Sequence, residues 1–211
     1  MNADAIDRLP QHLLDAIAPR GKTRTFPAQA ILINEGDTTD SLYILLSGRV
    51  KVYAASGDGR EVVLTEYGPG EYFGELAIHG EPRSASIKAL GVCTCRVVQG
   101  FELRQFMADH PDFAMHLTRK LIRMVRRLTE QVRSIALQDV YGRMVRVLNE
   151  LSEPDGDEWV LRQKLTQQDV ADRVGSSREM VNRVMKDLTT GGYVVVRDGR
   201  HVILRKLPAA R

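Results

Sequence analysis

The sequence has little cysteine and little net charge, and each shortage excludes a class of protein. Its two cysteines, Cys93 and Cys95, stand two positions apart in VCTCRVV, so in a strand they point to the same face and cannot easily form a disulfide. Because no other cysteine is present to complete a metal site, we expect buried thiols in a reducing compartment. The net charge of +3 is too small for a protein that coats nucleic acid nonspecifically.

The sequence also has no long apolar run. No segment approaches the length of a membrane span, and residues 1–20 lack the apolar core of a signal peptide. The spacing of Leu9, Leu13, Leu14 and Ile17 predicts a short amphipathic helix there instead. We therefore expect a cytoplasmic protein with no membrane partner.

Catalytic signatures are missing as well. The sequence contains no H-x-x-x-H or HD pair, no Walker-type glycine loop and no Ser-His-Asp arrangement that geometry would favour. Histidines 79, 110, 116 and 201 stand in unrelated segments. We do not expect an enzyme. A nucleotide-processing enzyme is the alternative from another class, and turnover of a nucleotide would establish it.

A two-helix unit is present at residues 166–188, TQQDVADRVGSSREMVNRVMKDL. Thr166 is a good N-cap for the first helix, and Gly175 can adopt the positive φ that ends it. We expect Ser176 to cap the second helix, with Glu179 completing an S-x-x-E capping box. Helical spacing predicts a buried stripe on the second helix, made of Met180, Val181, Val184, Met185 and Leu188.

The opposite face of the second helix carries side chains that suit base edges. It presents Arg178, Glu179, Asn182 and Arg183. Arginine pairs with guanine through two hydrogen bonds, and a carboxylate accepts one from cytosine N4. This pattern predicts a helix–turn–helix that binds double-stranded DNA. The alternative is a helical hairpin with a solvated charged face.

A hairpin follows the second helix, in YVVV, RDGR and HVIL, with its turn at Asp198-Gly199. A hairpin behind a recognition helix predicts a winged helix. Near its tip, Arg197, Arg200 and His201 are candidate phosphate contacts, or simply residues of a solvated turn.

From about residue 24 to 99 the chain shows short β-rich runs separated by glycine turns, one of them at Ser56-Gly57-Asp58-Gly59. Many short strands with such turns predict a barrel-like roll.

Within the roll lies GEYFGELAIHGEPRSAS, residues 70–86. Gly74-Glu75-Leu76 can begin a short helical turn whose backbone N–H groups favour an anion. Arg83 offers a charge-assisted fork for a phosphate, and Ser84 offers a hydroxyl. Glu75 can accept a hydrogen bond from a ribose 2′-hydroxyl. We call this segment the cradle; a surface ion pair between Glu75 and Arg83 is the alternative.

The longest helical pattern covers residues 111–137, where arginines flank an apolar stripe. The stripe consists of Phe113, Leu117, Leu121, Met124, Leu128, Val132 and Ile135. Such a stripe either docks against its own domain or pairs with a second copy of the chain.

A β roll with a cradle, a long helix and a winged helix–turn–helix together resemble the catabolite activator protein and fumarate–nitrate regulator (CRP/FNR) family of bacterial transcription factors. The resemblance covers essentially the whole chain and is most specific in GEL…RSA at 74–85 and SREMVNR at 177–183. It implies an α+β fold with a cyclic-nucleotide-binding β-roll domain at 1–110, a long dimerisation helix at 111–137 and a winged helix–turn–helix DNA-binding domain at 138–211.

The resemblance also implies roles for particular residues. Residues that hold the ribose and cyclic phosphate in cyclic-AMP-binding members match Gly74, Glu75, Leu76, Arg83 and Ser84. Base-reading residues match Arg178, Glu179 and Arg183, and Asn182 stands where the best-known member has glycine. Asp139, in ALQDVYGR, matches the hinge before the DNA-binding domain.

The implied partners are double-stranded DNA with a near-palindromic site, a second copy of the chain, RNA polymerase and a cyclic nucleotide effector. Two recognition helices about 34 Å apart would then meet successive major grooves. No metal is expected: the iron–sulfur cysteine cluster of the oxygen-sensing branch is missing, and His79 alone does not support haem.

The effector has alternatives because the base pocket departs from the family pattern. Where the family uses a Thr-Ser pair, alignment through the hinge gives Leu128 and Thr129, and Thr129 is the one that can contact a base. Cyclic AMP is the first expectation. Cyclic di-GMP is the second, since a larger dianion needs more cations and the helix is rich in arginine. Ligand-independent DNA binding with a vestigial cradle is the third.

Overall fold

The computed structural model describes residues 8–57 and 60–208. The first residues of the N-terminal segment and the Asp58-Gly59 half of a predicted turn lie outside them. The described chain divides into two compact units, one covering 8–57 and 63–126 and the other 60–62 and 127–208. Among these residues, no helix has both the length and the apolar character needed to cross a membrane.

The first unit is an antiparallel roll, as the short strands predict. It opens with the expected amphipathic helix, α1 (Gln11–Ile17). Its strands are β1 (Gly21–Phe26), β2 (Ile31–Ile33), β3 (Leu42–Ser47), β4 (Val50–Ala55), β5 (Glu61–Tyr67), β6 (Tyr72–Phe73), β7 (Ser86–Ala89) and β8 (Cys93–Val98). The described strands form two four-stranded sheets with the orders β1-β8-β3-β6 and β2-β7-β4-β5.

Strand β8 contributes two cysteines to the apolar core of the roll. Cys93 and Cys95 alternate with exposed or half-exposed neighbours, point to one face and are fully buried. They are free thiols in an apolar cluster with Leu45 and Phe73, as the sequence predicts. Burial raises the pKa of Cys93, and raises that of Cys95 to about 12. Both thiols therefore stay protonated and act as small apolar core residues.

Two helices follow β8, α2 (Gly100–Asp109) and α3 (Pro111–Leu137), and the second has the bounds of the predicted long helix. Its apolar stripe behaves differently along its length. Phe113 and Leu117 are buried in a cluster that includes Leu13 and Phe106. Val132, in contrast, is 66% exposed. The stripe therefore docks on its own unit in its first half and is exposed in its second half.

The second unit is the predicted winged helix–turn–helix. Its helices are α4 (Val140–Leu151), α5 (Gln167–Val174) and α6 (Arg178–Thr190), and its strands are β9 (Ser152–Asp155), β10 (Glu158–Leu161), β11 (Val194–Arg197) and β12 (Arg200–Ile203). These strands form an antiparallel sheet in the order β11-β12-β10-β9. The predicted hairpin turn is confirmed at Asp198 and Gly199, which have φ values of 52° and 75°.

The caps of α5 and α6 decide where the recognition helix begins. Thr166 and Asp169 form a reciprocal capping box, and Gly175 ends α5 with φ 66° and ψ 51°. The prediction that Ser176 caps α6 is wrong: its N–H donates to the carbonyl of Ala171 (3.1 Å), so it closes α5 instead. Ser177 is the N-cap, and its Oγ accepts a hydrogen bond from the N–H of Met180 (3.3 Å).

The buried face of α6 is narrower than the spacing predicts. Val181, Val184, Met185 and Leu188 are buried against the core of the second unit. Met180, which was expected to join them, is 40% exposed. It lies at the edge of the stripe in the first turn of the helix, where burial is incomplete.

Candidate functional site

The cradle begins at a backbone turn that only glycine fits. Strand β6 ends at Phe73, and Gly74 follows with φ +90° before a short 3-10 turn over Glu75–Ala77. A Cβ at Gly74 would lie 2.7 Å from the carbonyl oxygen of Ser41 and 2.9 Å from Nη1 of Arg83. The predicted helical turn after Gly74 is therefore present, and the chain can make it because residue 74 has no side chain.

Arg83 is the buried cation of the cradle, with 4% of its surface exposed. Its guanidinium donates from Nε to Oγ1 of Thr39 (3.0 Å), from Nη1 to the carbonyl of Gly74 (2.8 Å) and from Nη2 to the carbonyl of Ser41 (2.8 Å). Burial lowers its pKa, and electrostatic interaction with Tyr43, followed by that with Asp40 and Asp37, opposes this effect. An arginine remains charged in proteins, so the cradle holds one fixed positive charge.

Glu75 is also buried, and its partner comes from α3. The Glu75 Oε1 atom lies 3.2 Å from Nζ of Lys120, and the two side chains are 3% and 2% exposed. Lys120 also donates to the carbonyl of Tyr72. The interpretation of Glu75 and Arg83 as a surface ion pair is therefore wrong, because both side chains are inside the unit.

Sequence reasoning missed Lys120, which was one cation among many on the long helix. A signal for it existed: Lys120 lies seven residues after Phe113 and three after Leu117, both in the apolar stripe. A lysine inside a buried stripe must find a partner, because an isolated buried charge is very unfavourable.

The other side chains that are predicted to contact the ligand are exposed. Leu76 is 50% exposed, and Ser84 next to Arg83 is exposed. Thr129 is exposed on α3, in the part of the helix that belongs to the second unit. Its contact with a base stays a prediction. His79 is exposed, and the described residues contain no cluster of three or more side chains able to hold a metal.

The predicted base-reading residues share the exposed face of α6. Arg178, Glu179, Asn182 and Arg183 are all exposed. The pKa of Glu179 is lowered by hydrogen bonds from its own backbone N–H and from the Ser177 side chain, which keeps it a carboxylate and an acceptor.

Asn182 has a partner that sequence reasoning did not anticipate. Its Oδ1 accepts a hydrogen bond from Nε2 of Gln167 on α5 (2.9 Å). Because the amide oxygen of Asn182 faces Gln167, its NH2 group is directed away from Gln167.

The wing residues differ in how accessible they are. Arg197 forms a bidentate ion pair with Glu158, with N–O distances of 2.5 and 3.1 Å. His201 is half-buried, and burial lowers its pKa. The side chain of Arg200 is exposed at the turn, and no ion pair joins it to a described residue. Of the three predicted phosphate contacts, Arg200 is thus exposed and not engaged in an ion pair.

The predicted hinge residue lies at a break between helices. Helix α3 ends at Leu137, and Asp139 caps α4 by accepting a hydrogen bond from the N–H of Gly142 (2.7 Å). Arg143 donates to the carbonyl of Gln138 (2.8 Å) and to the carbonyl of Val174 at the end of α5 (2.9 Å). One guanidinium thus joins the break after α3 to the turn of the helix–turn–helix.

Comparisons with known proteins match both units. Residues 23–110 match the family model of the cyclic nucleotide-binding domain, and residues 142–209 match that of the Crp-like helix-turn-helix domain. The cAMP-activated global transcriptional regulator CRP of Pasteurella multocida is 35% identical over 172 residues, covering 77% of this chain and 80% of that regulator.

Two further relatives cover nearly the whole chain. The CRP-like cAMP-activated global transcriptional regulator of Mycobacterium tuberculosis is 33% identical over 205 residues, covering 95% of this chain and 88% of its own. Among solved structures, the c-di-GMP-responsive global regulator CLP of Xanthomonas campestris is 25% identical with a TM-score of 0.85, covering 93% of this chain and all of that one (100%).

A cyclic-nucleotide-binding domain and a helix–turn–helix on one chain define a DNA-binding transcription regulator. The chain belongs to the catabolite activator protein and fumarate–nitrate regulator (CRP/FNR) family, whose matched members are transcription regulators and not enzymes.

The substitution Gly74→Ala tests how closely the cradle is packed. Alanine at φ +90° costs about 1–2 kcal/mol in backbone strain, and its Cβ would also crowd Ser41 and Arg83. Gly80→Ala is the matched control, because Gly80 has φ +88° but no atom within 4 Å of an added Cβ. In urea unfolding followed by circular dichroism, we expect Gly74→Ala to lose more stability than Gly80→Ala. Equal losses would contradict the close packing.

Proposed function

We propose that the protein is a cytoplasmic homodimer that binds near-palindromic DNA and is gated by a cyclic nucleotide, cyclic AMP first, bound in the β roll. The observation that carries the proposal is the buried arrangement of Gly74, Glu75 and Arg83 on the same chain as the exposed base-reading face of α6. The functional parts we assign are the nucleotide domain at 1–110, the dimerisation helix at 111–137 and the DNA-binding domain at 138–211.

The cradle has chemistry for each part of a cyclic nucleotide. Arg83 supplies the fixed positive charge for the cyclic phosphate, and Ser84 supplies a hydroxyl donor. Glu75 accepts from the ribose 2′-hydroxyl, and Leu76 lies beside it on the same turn. We assign to Thr129 the contact with the base. Support comes from the relatives of Pasteurella multocida and Mycobacterium tuberculosis, which are named as cAMP-activated.

Cyclic di-GMP is the second candidate effector. Leu128 stands where the family's adenine pocket has a hydrogen-bonding residue, and α3 carries Arg119, Arg123, Arg126, Arg127 and Arg133. The regulator of Xanthomonas campestris, whose fold matches along nearly the whole chain, is named as c-di-GMP-responsive. Ligand-independent DNA binding with a vestigial cradle is the remaining alternative.

Gating requires that the nucleotide bind the DNA-competent arrangement more tightly than the other. We assign the change to the break at Asp139, between α3 and α4. Arg143 donates hydrogen bonds to the carbonyl of Gln138, at the break, and to the carbonyl of Val174, at the end of α5. A movement at Gln138 therefore acts through Arg143 on the end of α5, which supports this assignment. RNA polymerase is the further partner that we propose from the family.

An exposed apolar row on α3 supports the dimer. Its exposed apolar side chains recur at spacings of three and four: Ile122, Val125, Leu128, Val132 and Ile135. Such a row on one helix suits pairing with the same row of a second copy.

Isothermal titration of the protein with cyclic AMP and with cyclic di-GMP tests the ligand. We expect heat of binding with cyclic AMP at millimolar concentration or below, because Arg83 is a fixed partner for the phosphate. A competition at equal concentration decides between the two nucleotides. If cyclic di-GMP displaces cyclic AMP, the second candidate holds, and if neither nucleotide gives heat, the ligand part of the proposal is wrong.

Substitutions in α6 and in the wing separate base reading from phosphate contact. Arg178→Ala should cost about 1–3 kcal/mol on the preferred site and relax its sequence preference. Arg200→Ala should weaken binding to all DNA more evenly. Gel-shift titrations on a preferred and a scrambled duplex compare the two. Equal losses on both duplexes for both variants would contradict these roles.

A charge on the exposed face of α3 tests the dimer. We expect the double variant Val132→Glu and Ile135→Glu to sediment as a monomer, because facing carboxylates repel and would be taken out of water. Val92→Glu is the control, since Val92 is 66% exposed like Val132 but lies in the roll. A wild-type protein that sediments as a monomer, or a dimer that survives the double substitution, would contradict the assignment.

A further inference from the structure

Lys120 is an unusual residue for the interior of this fold. Only 2% of its side chain is exposed, although it stands on a helix with many exposed cations. Lysine is almost never fully buried unless it is paired, because its ammonium loses its hydration. A specific arrangement must therefore hold this charge in place.

The ammonium is held from several directions within the first unit. Its Nζ lies 3.2 Å from Oε1 of Glu75 and donates to the carbonyl of Tyr72. It also lies 3.9 Å from the ring centroid of Tyr72 and 4.7 Å from that of Tyr67, where the aromatic faces attract a cation. Side chains and backbone of strands β5 and β6 thus hold the Lys120 ammonium, which helix α3 supplies.

This arrangement fixes the carboxylate of Glu75 but uses only one of its oxygens. Lys120 pairs with Oε1 (3.2 Å), which leaves Oε2 to be engaged by a second donor. The backbone next to Glu75 is fixed too, since the carbonyl of Gly74 accepts a hydrogen bond from Arg83 (2.8 Å). Oε2 is therefore an acceptor whose orientation is set by the contact of Lys120 with Oε1.

We propose that Lys120 is a positioning residue that holds Glu75 ready to accept the ribose 2′-hydroxyl, and so makes the cradle select ribose over 2′-deoxyribose. The inference rests on the proposed binding of a cyclic nucleotide. A pre-oriented carboxylate gives the full strength of a charge-assisted hydrogen bond, because no rearrangement is needed when the nucleotide enters. Without Lys120 the carboxylate would turn toward solvent or another donor.

A merely structural ion pair predicts a different outcome from a positioning residue. If Lys120 only stabilises the roll, its removal lowers the affinity for every nucleotide by the same factor. If it positions Glu75, its removal weakens the ribose form and leaves the 2′-deoxy form nearly unchanged. Measuring both nucleotides with both proteins separates these outcomes. The ratio of the affinities for the ribose and 2′-deoxy forms does not change if the variant binds both forms more weakly by the same factor.

The experiment is calorimetric titration of wild type and Lys120→Met with cyclic AMP and 2′-deoxy cyclic AMP. We expect wild type to prefer the ribose form by about tenfold or more, the worth of a hydrogen bond to a charged group. Lys120→Met should lose most of that preference, and Lys120→Arg should keep part of it. Lys51→Met is the control, because Lys51 lies on β4 and its ammonium faces the Tyr53 ring at 5.2 Å.

The outcomes distinguish this inference from the proposed function. If wild type prefers the ribose form and Lys120→Met keeps the full preference, the role of Lys120 is wrong and nucleotide binding stands. If wild type binds no nucleotide, both are wrong. If wild type binds cyclic di-GMP, the same comparison is made with its ribose and 2′-deoxy forms. If Lys120→Met does not fold, Lys120→Gln replaces it, because the amide keeps a donor for the Tyr72 carbonyl.

Discussion

The cradle depends on the burial of one guanidinium. Arg83 is almost inaccessible to solvent, and its hydrogen bonds to Thr39, Ser41 and Gly74 replace the water that it has lost. These partners must keep their places, so Gly74 adopts a conformation that excludes a side chain, and the turn after it directs Glu75 into the interior. The charge that we assign to the phosphate and the acceptor that we assign to the hydroxyl are thus parts of one packed structure.

In the DNA-binding unit, polar groups at the ends of the helices must likewise find hydrogen-bond partners. Backbone groups at a helix end have no partner within the helix, and this chain satisfies them with specific side chains. Asp139 caps α4, Thr166 caps α5 and Ser177 caps α6. Arg143 adds a bond between the break after α3 and the end of α5. The position of the recognition helix is therefore tied to the backbone at the proposed hinge.

The sequence predicts features that depend on neighbours along the chain. Helical spacing, caps and glycine turns locate the roll, the long helix, the wing and the turn at Gly175. Contacts between distant segments are set by packing and escape this reasoning: Lys120 with Glu75, Gln167 with Asn182, and Arg197 with Glu158. The misplacement of the α6 cap by one residue, at Ser176 instead of Ser177, has a local cause. Two adjacent serines fit the same motif, and the closing bond of α5 decides between them.

In the proposed mechanism, occupancy of the cradle changes DNA binding. The most direct measurement is the fluorescence anisotropy of a labelled duplex, selected by the protein from random sequences, titrated with and without a saturating cyclic nucleotide. We expect the DNA affinity to change by about fivefold or more, the scale of allosteric coupling. We also expect DNA to change the nucleotide affinity by the same factor. Identical DNA affinities with and without a nucleotide that binds the protein would contradict this coupling.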